Sequence, residues 1–293
     1  MCNRVVKTRV LVWLCLLLVM PVQAAAIRVL DDAGQALKLT RSPQRIISLS
    51  PHLTELLFAV GAGDQLVGVD SASDYPSAAK TRPRIGDFSR VNFERILALK
   101  PDLVLVWVGG NRPADIHGLQ KMGVPILHTQ ATRLDDVPRL LRLIGRASGH
   151  AAFGEEQALA FEAKLNALRV QPRPQKPPLK VFYQIWDRPL MTLGGQHWIS
   201  DALALCGARN VFADLRGLSP VVSREAVLRR APSLIISGSD APDVRRSWQA
   251  FSQVPAVKDQ AYLQIDADLL HRPSPRLVDG VAELCTAIRP YVR

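Results

Sequence analysis

The chain lacks the short motifs that mark many enzymes. Its 293 residues contain no Gly-x-Ser-x-Gly elbow and no Walker phosphate-binding loop, so neither a serine hydrolase nor a P-loop nucleotide enzyme is indicated. The six histidines form no i, i+4 pair and have no Cys-x-x-Cys companion, so scattered histidines are favoured over a metal site. An exported metal-dependent hydrolase with ligands gathered across a cleft stays as a rival hypothesis.

Long apolar runs are also absent. The longest, residues 10–20, has 11 apolar residues, whereas a membrane-spanning helix needs about 20. The run follows Arg4, Lys7 and Arg9 and is followed by small residues, which is the order of a secretory signal peptide. We therefore predict a signal peptide over residues 1–26 and a soluble exported protein.

Cysteine is scarce, with four in the whole chain. Cys2 and Cys15 fall in the predicted signal peptide, and a lipid anchor on Cys15 is disfavoured because no small residue precedes it. Cys206 and Cys285 then remain as a pair in an oxidising compartment. They predict either a disulfide within the second half of the chain or two separate buried thiols.

The basic charge is moderate. Loss of the three basic residues of the signal peptide lowers the net charge from +11 to +8. Nucleic-acid binding requires clustered Lys and Arg interleaved with aromatic residues, but here the arginines are dispersed and aromatic residues make up 6% of the chain. No nucleic-acid partner is expected.

One segment occurs twice, at residues 92–105 and 223–236, with an offset of 131 residues. Each copy has a polar N-cap, a glutamate two residues later, an apolar pair, and Pro before a β-branched run. This pattern predicts a short helix followed by a buried strand. The copies place Glu94 and Glu225 at equivalent helix starts, where they either form a paired docking surface or only complement the helix dipoles.

The repeat predicts two Rossmann-like α/β lobes with a ligand cleft between them. We expect the N-terminal lobe over residues 27–132, a connecting helix over 133–172, either single or interrupted at its glycines, and the C-terminal lobe over 173–293. Ligands gather at the carboxyl ends of parallel strands. Trp107 and Trp186 fall at such ends, where each either contacts a ligand or packs the lobes.

Several further segments carry a resemblance to a known family. They are Arg45-Ile-Ile-Ser-Leu-Ser-Pro-His-Leu-Thr-Glu55, Ser73-Asp-Tyr-Pro76, Asn92-Phe-Glu-Arg-Ile-Leu-Ala-Leu-Lys-Pro-Asp-Leu-Val104, Trp107-Val-Gly-Gly-Asn111, Val222-Ser-Arg-Glu225 and Ser274-Pro-Arg276. Together they resemble the periplasmic binding proteins of ABC importers that carry cobalamin, haem or ferric siderophores. In this class a single long helix joins the two lobes. The Trp-Val-Gly-Gly-Asn run favours cobalamin.

The resemblance implies a non-enzymatic receptor without a cofactor of its own. Its ligand would be cobalamin, with haem or a ferric siderophore as alternatives, and its partner a permease dimer with ATPase subunits. The family's paired glutamates, which bind permease arginines, match Glu94 and Glu225. The family disulfide matches Cys206 and Cys285. We expect a monomer.

The resemblance also implies a set of cleft residues. Family aromatic residues that flank the ligand correspond to Ala72, Phe88 and Ser219, of which Phe88 is aromatic. Trp107 is retained, and Trp186 lies close to another family position. The polar contacts match Asp268 and Arg272, a pair that alternatively forms a surface ion pair. For the haem alternative, the candidate iron ligands are Tyr75, His197 and His271.

Overall fold

The computed structural model describes residues 26–171, 177–240 and 243–292. Residues 1–25 of the predicted signal peptide and residues 172–176 of the proline-rich stretch lie outside the described residues. Within these ranges, no helix combines the length and apolar character needed to cross a membrane.

In the described part of the chain, ten strands and eleven α-helices form two lobes. The strands are β1 (Ile27–Leu30), β2 (Ala36–Leu39), β3 (Ile46–Ser48), β4 (Leu66–Val69), β5 (Leu103–Trp107), β6 (Ile126–Thr129), β7 (Leu179–Gln184), β8 (Ala208–Asn210), β9 (Leu234–Gly238) and β10 (Tyr262–Ile265). The helices are α1 (Pro51–Ala59), α2 (Phe93–Ala98), α3 (Pro113–Lys121), α4 (Asp136–Ser148), α5 (Ala151–Arg169), α6 (Trp198–Leu205), α7 (Arg224–Arg230), α8 (Val244–Trp248), α9 (Pro255–Lys258), α10 (Ala267–Leu270) and α11 (Leu277–Ile288).

The two lobes share one topology, as the repeat predicts. The first sheet has the order β4-β3-β5-β6 and the second has β8-β7-β9-β10, so both follow the order 2-1-3-4. All pairings within these two sheets are parallel. β1 and β2 form a separate antiparallel hairpin. The α/β prediction with two lobes is confirmed.

The repeat extends to the backbone. Lys100 and Ala231 stand at equivalent positions, each directly before a proline, and each has a φ of 46°. This left-handed conformation is uncommon for residues other than glycine. The two copies therefore turn from helix to strand in the same way.

The connecting segment contains two helices rather than one. α4 ends at Ser148 and is followed by Gly149, whose φ of 86° suits glycine, and α5 begins at Ala151. The helices lie close together at Gly145 and Gly154, where a Cβ on Gly145 would approach the Gly154 Cα to 2.9 Å. α4 packs on α1 and β1 of the first lobe, whereas α5 also contacts α11 of the second. The long connector is thus α5.

The first sheet is covered on both faces, which explains its nearly continuous apolar strands. One buried cluster joins α1 and α4 to the sheet and continues through the second lobe. A smaller one lies under α2 and α3. Helices therefore cover the faces of the sheet, and the carboxyl ends of its strands remain as the place for a site.

Candidate functional site

The candidate cleft lies at the carboxyl ends of the strands. In a sheet with the strand order 2-1-3-4, the order in which strands are added reverses between strands 1 and 3, and a crevice opens there at the carboxyl ends of the strands. In the first lobe this point lies between β3 and β5, and in the second between β7 and β9. Trp107 ends β5, and Trp186 stands two residues after β7. Sequence and topology therefore place both residues at the expected crevices.

Large apolar side chains are exposed on the loops of both lobes. Phe88 is 84% exposed on a turn whose backbone N–H groups, from Ser89 and Arg90, donate to Asp87 Oδ1 at 2.8 and 3.1 Å. Trp186 is 59% exposed, and its indole N–H donates to a backbone carbonyl. Tyr75, Val108 and Val221 are also exposed. Exposed apolar groups of this size are typical of a ligand or protein contact surface.

Trp107 is partly buried and packs between the lobes. Its ring lies edge-on to His52 at a centroid distance of 5.1 Å and 6.2 Å from the ring of Trp198 in the second lobe. A Cβ on Gly110 would overlap the Trp107 ring, so the glycine permits this position. Among the described residues, its indole nitrogen has no hydrogen-bond partner. Trp107 thus packs the two lobes together, and its indole N–H is buried there.

His52, which the sequence analysis did not single out, packs against Trp107. It is buried, and its Nδ1 lies 2.7 Å from Ser50 Oγ, while its Nε2 has no partner among the described residues. Burial, and then the charge of Arg272, lower the pKa of His52 to about 3. The ring is therefore neutral at physiological pH. Nothing in the local sequence distinguishes His52 from the other histidines.

Asp268 and Arg272 do form an ion pair, at 2.7 Å, but not one confined to the surface. The Arg272 side chain is only 12% exposed, and it also pairs with Glu55 and Asp74 of the first lobe. Although burial alone would lower it, hydrogen bonds to Asp74 and Glu55 raise the pKa of Arg272. The interpretation as a minor surface pair is therefore wrong, because the arginine joins the two lobes.

Glu94 and Glu225 are exposed in the first turns of α2 and α7. The helices are capped alike: the side chains of Asn92 and Ser223 accept from backbone N–H groups at 2.9 and 3.2 Å. Hydrogen bonds with its own backbone N–H and with Ser223 lower the pKa of Glu225. In the described part of the chain, neither glutamate belongs to an ion pair. Both carboxylates are available to a partner.

Cys206 and Cys285 form a disulfide, with their Cα atoms 4.7 Å apart. It joins the end of α6 to α11 inside the second lobe. The predicted pairing is confirmed.

The three residues considered as iron ligands each make other contacts. Tyr75 lies under the guanidinium of Arg276 at 3.9 Å, and His271 Nε2 lies 2.9 Å from the Tyr183 hydroxyl. His197 Nδ1 accepts from a backbone N–H, and burial, followed by the charge of His271, lowers its pKa to about 3. Within the described ranges there is no group of three or more His, Cys, Asp or Glu side chains suited to a metal.

Comparison with known proteins gives consistent matches. Residues 46–269 match the family described as periplasmic binding protein. The vitamin B12-binding protein of Vibrio cholerae is 36% identical over 247 residues, covering 84% of this chain and 89% of that protein. The protein of the same name from Pectobacterium carotovorum subsp. carotovorum is 39% identical over 256 residues, covering 85% and 90%.

Two solved structures extend these matches to the fold. The crystal structure of the periplasmic vitamin B12 binding protein BtuF of Vibrio cholerae matches with a TM-score of 0.76 at 36% identity, covering 85% of this chain and 98% of that one. The periplasmic heme-binding protein RhuT from Roseiflexus sp. RS-1 matches with a TM-score of 0.74 at 25% identity, covering 85% and 99%. The chain belongs to the periplasmic binding protein family.

Proposed function

We propose that this protein is the periplasmic receptor of an ABC importer, that it captures cobalamin between its lobes, and that it delivers the ligand to the permease. The observation that carries this proposal is the 36–39% identity, over at least 84% of the chain, to proteins named for binding vitamin B12. The similarity to a heme-binding relative is lower, at 25%. Haem is therefore the second candidate ligand, and a ferric siderophore the third.

The exposed aromatic residues support a large, flat ligand. Phe88 on the first lobe and Trp186 on the second both present apolar rings to solvent. Aromatic side chains in clefts bury large apolar areas against a ligand, and a few polar groups fix its orientation. We assign the apolar contacts to Phe88, Trp107 and Trp186, and the polar ones to Asp268 and Arg272.

Delivery requires a second surface. We assign it to Glu94 and Glu225, because exposed carboxylates at equivalent positions of two similar lobes suit a partner with basic groups on two similar subunits. A permease dimer with its ATPase subunits has that symmetry. The receptor itself needs no catalytic residue and no cofactor, and export through residues 1–26 would place it in the periplasm.

The test is a calorimetric titration of the purified protein with cyanocobalamin, with haemin as a parallel sample. We expect tight binding of one cobalamin per chain and weaker or no binding of haemin. Tight haemin binding without cobalamin binding would replace the proposed ligand by haem.

Replacement of Trp186 by alanine tests the cleft assignment. We expect the Kd for cobalamin to rise roughly 10- to 100-fold, since truncation of a buried aromatic contact costs about 1.5–3 kcal/mol. Phe153→Ala is the matched control, because Phe153 is also an exposed aromatic residue but lies on α5 beside His150. Equal Kd values for wild type and Trp186→Ala would remove Trp186 from the site.

A further inference from the structure

Five charged side chains from both lobes meet in one cluster, which we call the inter-lobe clasp. They are Glu55, Asp74, Asp268, Arg272 and Arg276. Arg272 reaches Glu55 at 3.1 Å and both Asp74 and Asp268 at 2.7 Å. Arg276 donates to both carboxylate oxygens of Glu55, at 2.6 and 2.9 Å. The first two acids belong to the first lobe, and the other three residues belong to the second.

Glu55 is the centre of the clasp. Its side chain is only 2% exposed, and its neighbours on α1 include the buried Leu53 and Leu56. A carboxylate in such a place is costly unless it is paired and its oxygens are hydrogen-bonded. Both conditions are met by arginines that lie more than 200 residues away in the sequence. The burial of Glu55 therefore depends on the second lobe being in place.

Tyr75 and Asp74, both of the first lobe, contact the two arginines at the exposed side of the clasp. The ring of Tyr75 lies 3.9 Å from the guanidinium carbon of Arg276, within the range of a cation–π contact. Asp74 is about half exposed and contacts Arg272. Although burial opposes it, the hydrogen bond and charge of Arg272 lower the pKa of Asp74. Asp74 is thus held charged at the edge of the cluster.

The clasp restricts the orientation of Arg272, which we assign to the ligand-binding site. Arg272 Nη1 donates to Glu55 and Asp74 of the first lobe, and Nη2 pairs with Asp268 of the second. Contacts with both lobes therefore fix the plane of the guanidinium. Multiple charge-assisted hydrogen bonds of this kind impose geometry as well as attraction. Separation of the lobes would release Arg272 and alter its geometry toward a bound ligand.

We propose that Glu55 is a positioning residue for the ligand site, which sets the separation of the lobes and aims Arg272 by pairing with Arg272 and Arg276. The aiming of Arg272 at a ligand rests on the proposed function. The effect of Glu55 on the separation of the lobes does not rest on it, because the clasp contacts are all between side chains of the protein.

The first test measures lobe contact without ligand. We compare hydrogen–deuterium exchange of wild type and Glu55→Gln, which keeps the side-chain shape but removes its charge. We expect faster exchange in residues 107–111 and 215–220, because the Leu218 side chain lies beside Gly109 across the lobes. Among the described residues, the hydrogen bonds of the Glu55 carboxylate go to Arg272 and Arg276 and not to either segment. A change limited to α1, or no change, would overturn the positioning role.

The second test measures ligand affinity. We expect the Kd of Glu55→Gln for cyanocobalamin to rise at least about tenfold. The matched control is Lys164→Met with Asp279→Asn, which removes an ion pair between α5 and α11 whose side chains are 60% and 54% exposed. The control should leave both the Kd and the exchange rates unchanged. An unchanged Kd for Glu55→Gln would overturn the aiming of Arg272.

A milder variant covers the case in which Glu55→Gln fails to fold. Asp74→Asn removes the charge of a half-exposed partner of Arg272, so the fold should persist. We expect Asp74→Asn to raise the exchange rates and the Kd as Glu55→Gln does, but by less. Unchanged exchange rates and Kd would overturn the proposal. If the wild type did not bind cobalamin, the proposed function would fail, whereas the ligand-free exchange comparison would still decide the role of Glu55.

Discussion

Replacement of both Glu94 and Glu225 by alanine is expected to abolish delivery of cobalamin to the importer and to leave the Kd for cobalamin unchanged. Both carboxylates are exposed at helix starts, outside the ion pairs of the described residues. They are therefore not needed to build the cleft. A permease surface that supplies basic groups would lose two charge-assisted contacts at once, and removal of such contacts strongly weakens a protein interface.

Uptake of radiolabelled cyanocobalamin by cells measures delivery to the importer, and calorimetric Kd values for the purified variants measure ligand affinity. The matched control is Glu156→Ala with Glu283→Ala, which removes two exposed glutamates from α5 and α11. The control should transport at the rate of wild type. If the Glu94 and Glu225 variant lost ligand affinity instead, the two glutamates would belong to the binding site and the docking assignment would be wrong.

Removal of the Cys206–Cys285 disulfide is expected to lower the free energy of unfolding by about 4.5 kcal/mol if the bond acts by restricting the unfolded chain, because it closes a loop with a sequence separation of 79 residues. For a domain of this size the loss corresponds to a fall in Tm of roughly 10 °C. The bond ties α6 to α11, which also pack on each other. The loss of stability should therefore be greatest in the second lobe.

The measurement is the Tm of wild type and of Cys206→Ala with Cys285→Ala, each with and without a reducing agent. Reductant should lower the Tm of the wild type toward that of the variant and should not change the variant. Identical Tm values in all four samples would show that the bond does not stabilise the fold.

Much of the fold could be predicted because each copy of the sequence repeat encodes the same helix, turn and strand. A capped helix, a turn before proline and a buried strand are all local patterns, and the copies have the same helix, turn and strand. By contrast, β8 is a three-residue edge strand, Ala-Arg-Asn, without apolar alternation. Its pairing comes from its position beside β7 rather than from its own sequence.

The site was less predictable because its polar geometry is formed by tertiary contacts. Trp107 and Trp186 were identified from their positions at strand ends, and Asp268 and Arg272 from family resemblance. Glu55 was part of a recognised segment, but its arginine partners are 217 and 221 residues away. No local spacing rule can indicate such a contact.

The most direct test of the account is a crystal structure of the purified protein with cyanocobalamin. We predict one corrin ring between the lobes, with Phe88 on one side, Trp186 on the other, and Asp268 and Arg272 contacting its polar side chains. A corrinoid bound outside the cleft, or a cleft without ligand in crystals grown at saturating cyanocobalamin, would contradict the account.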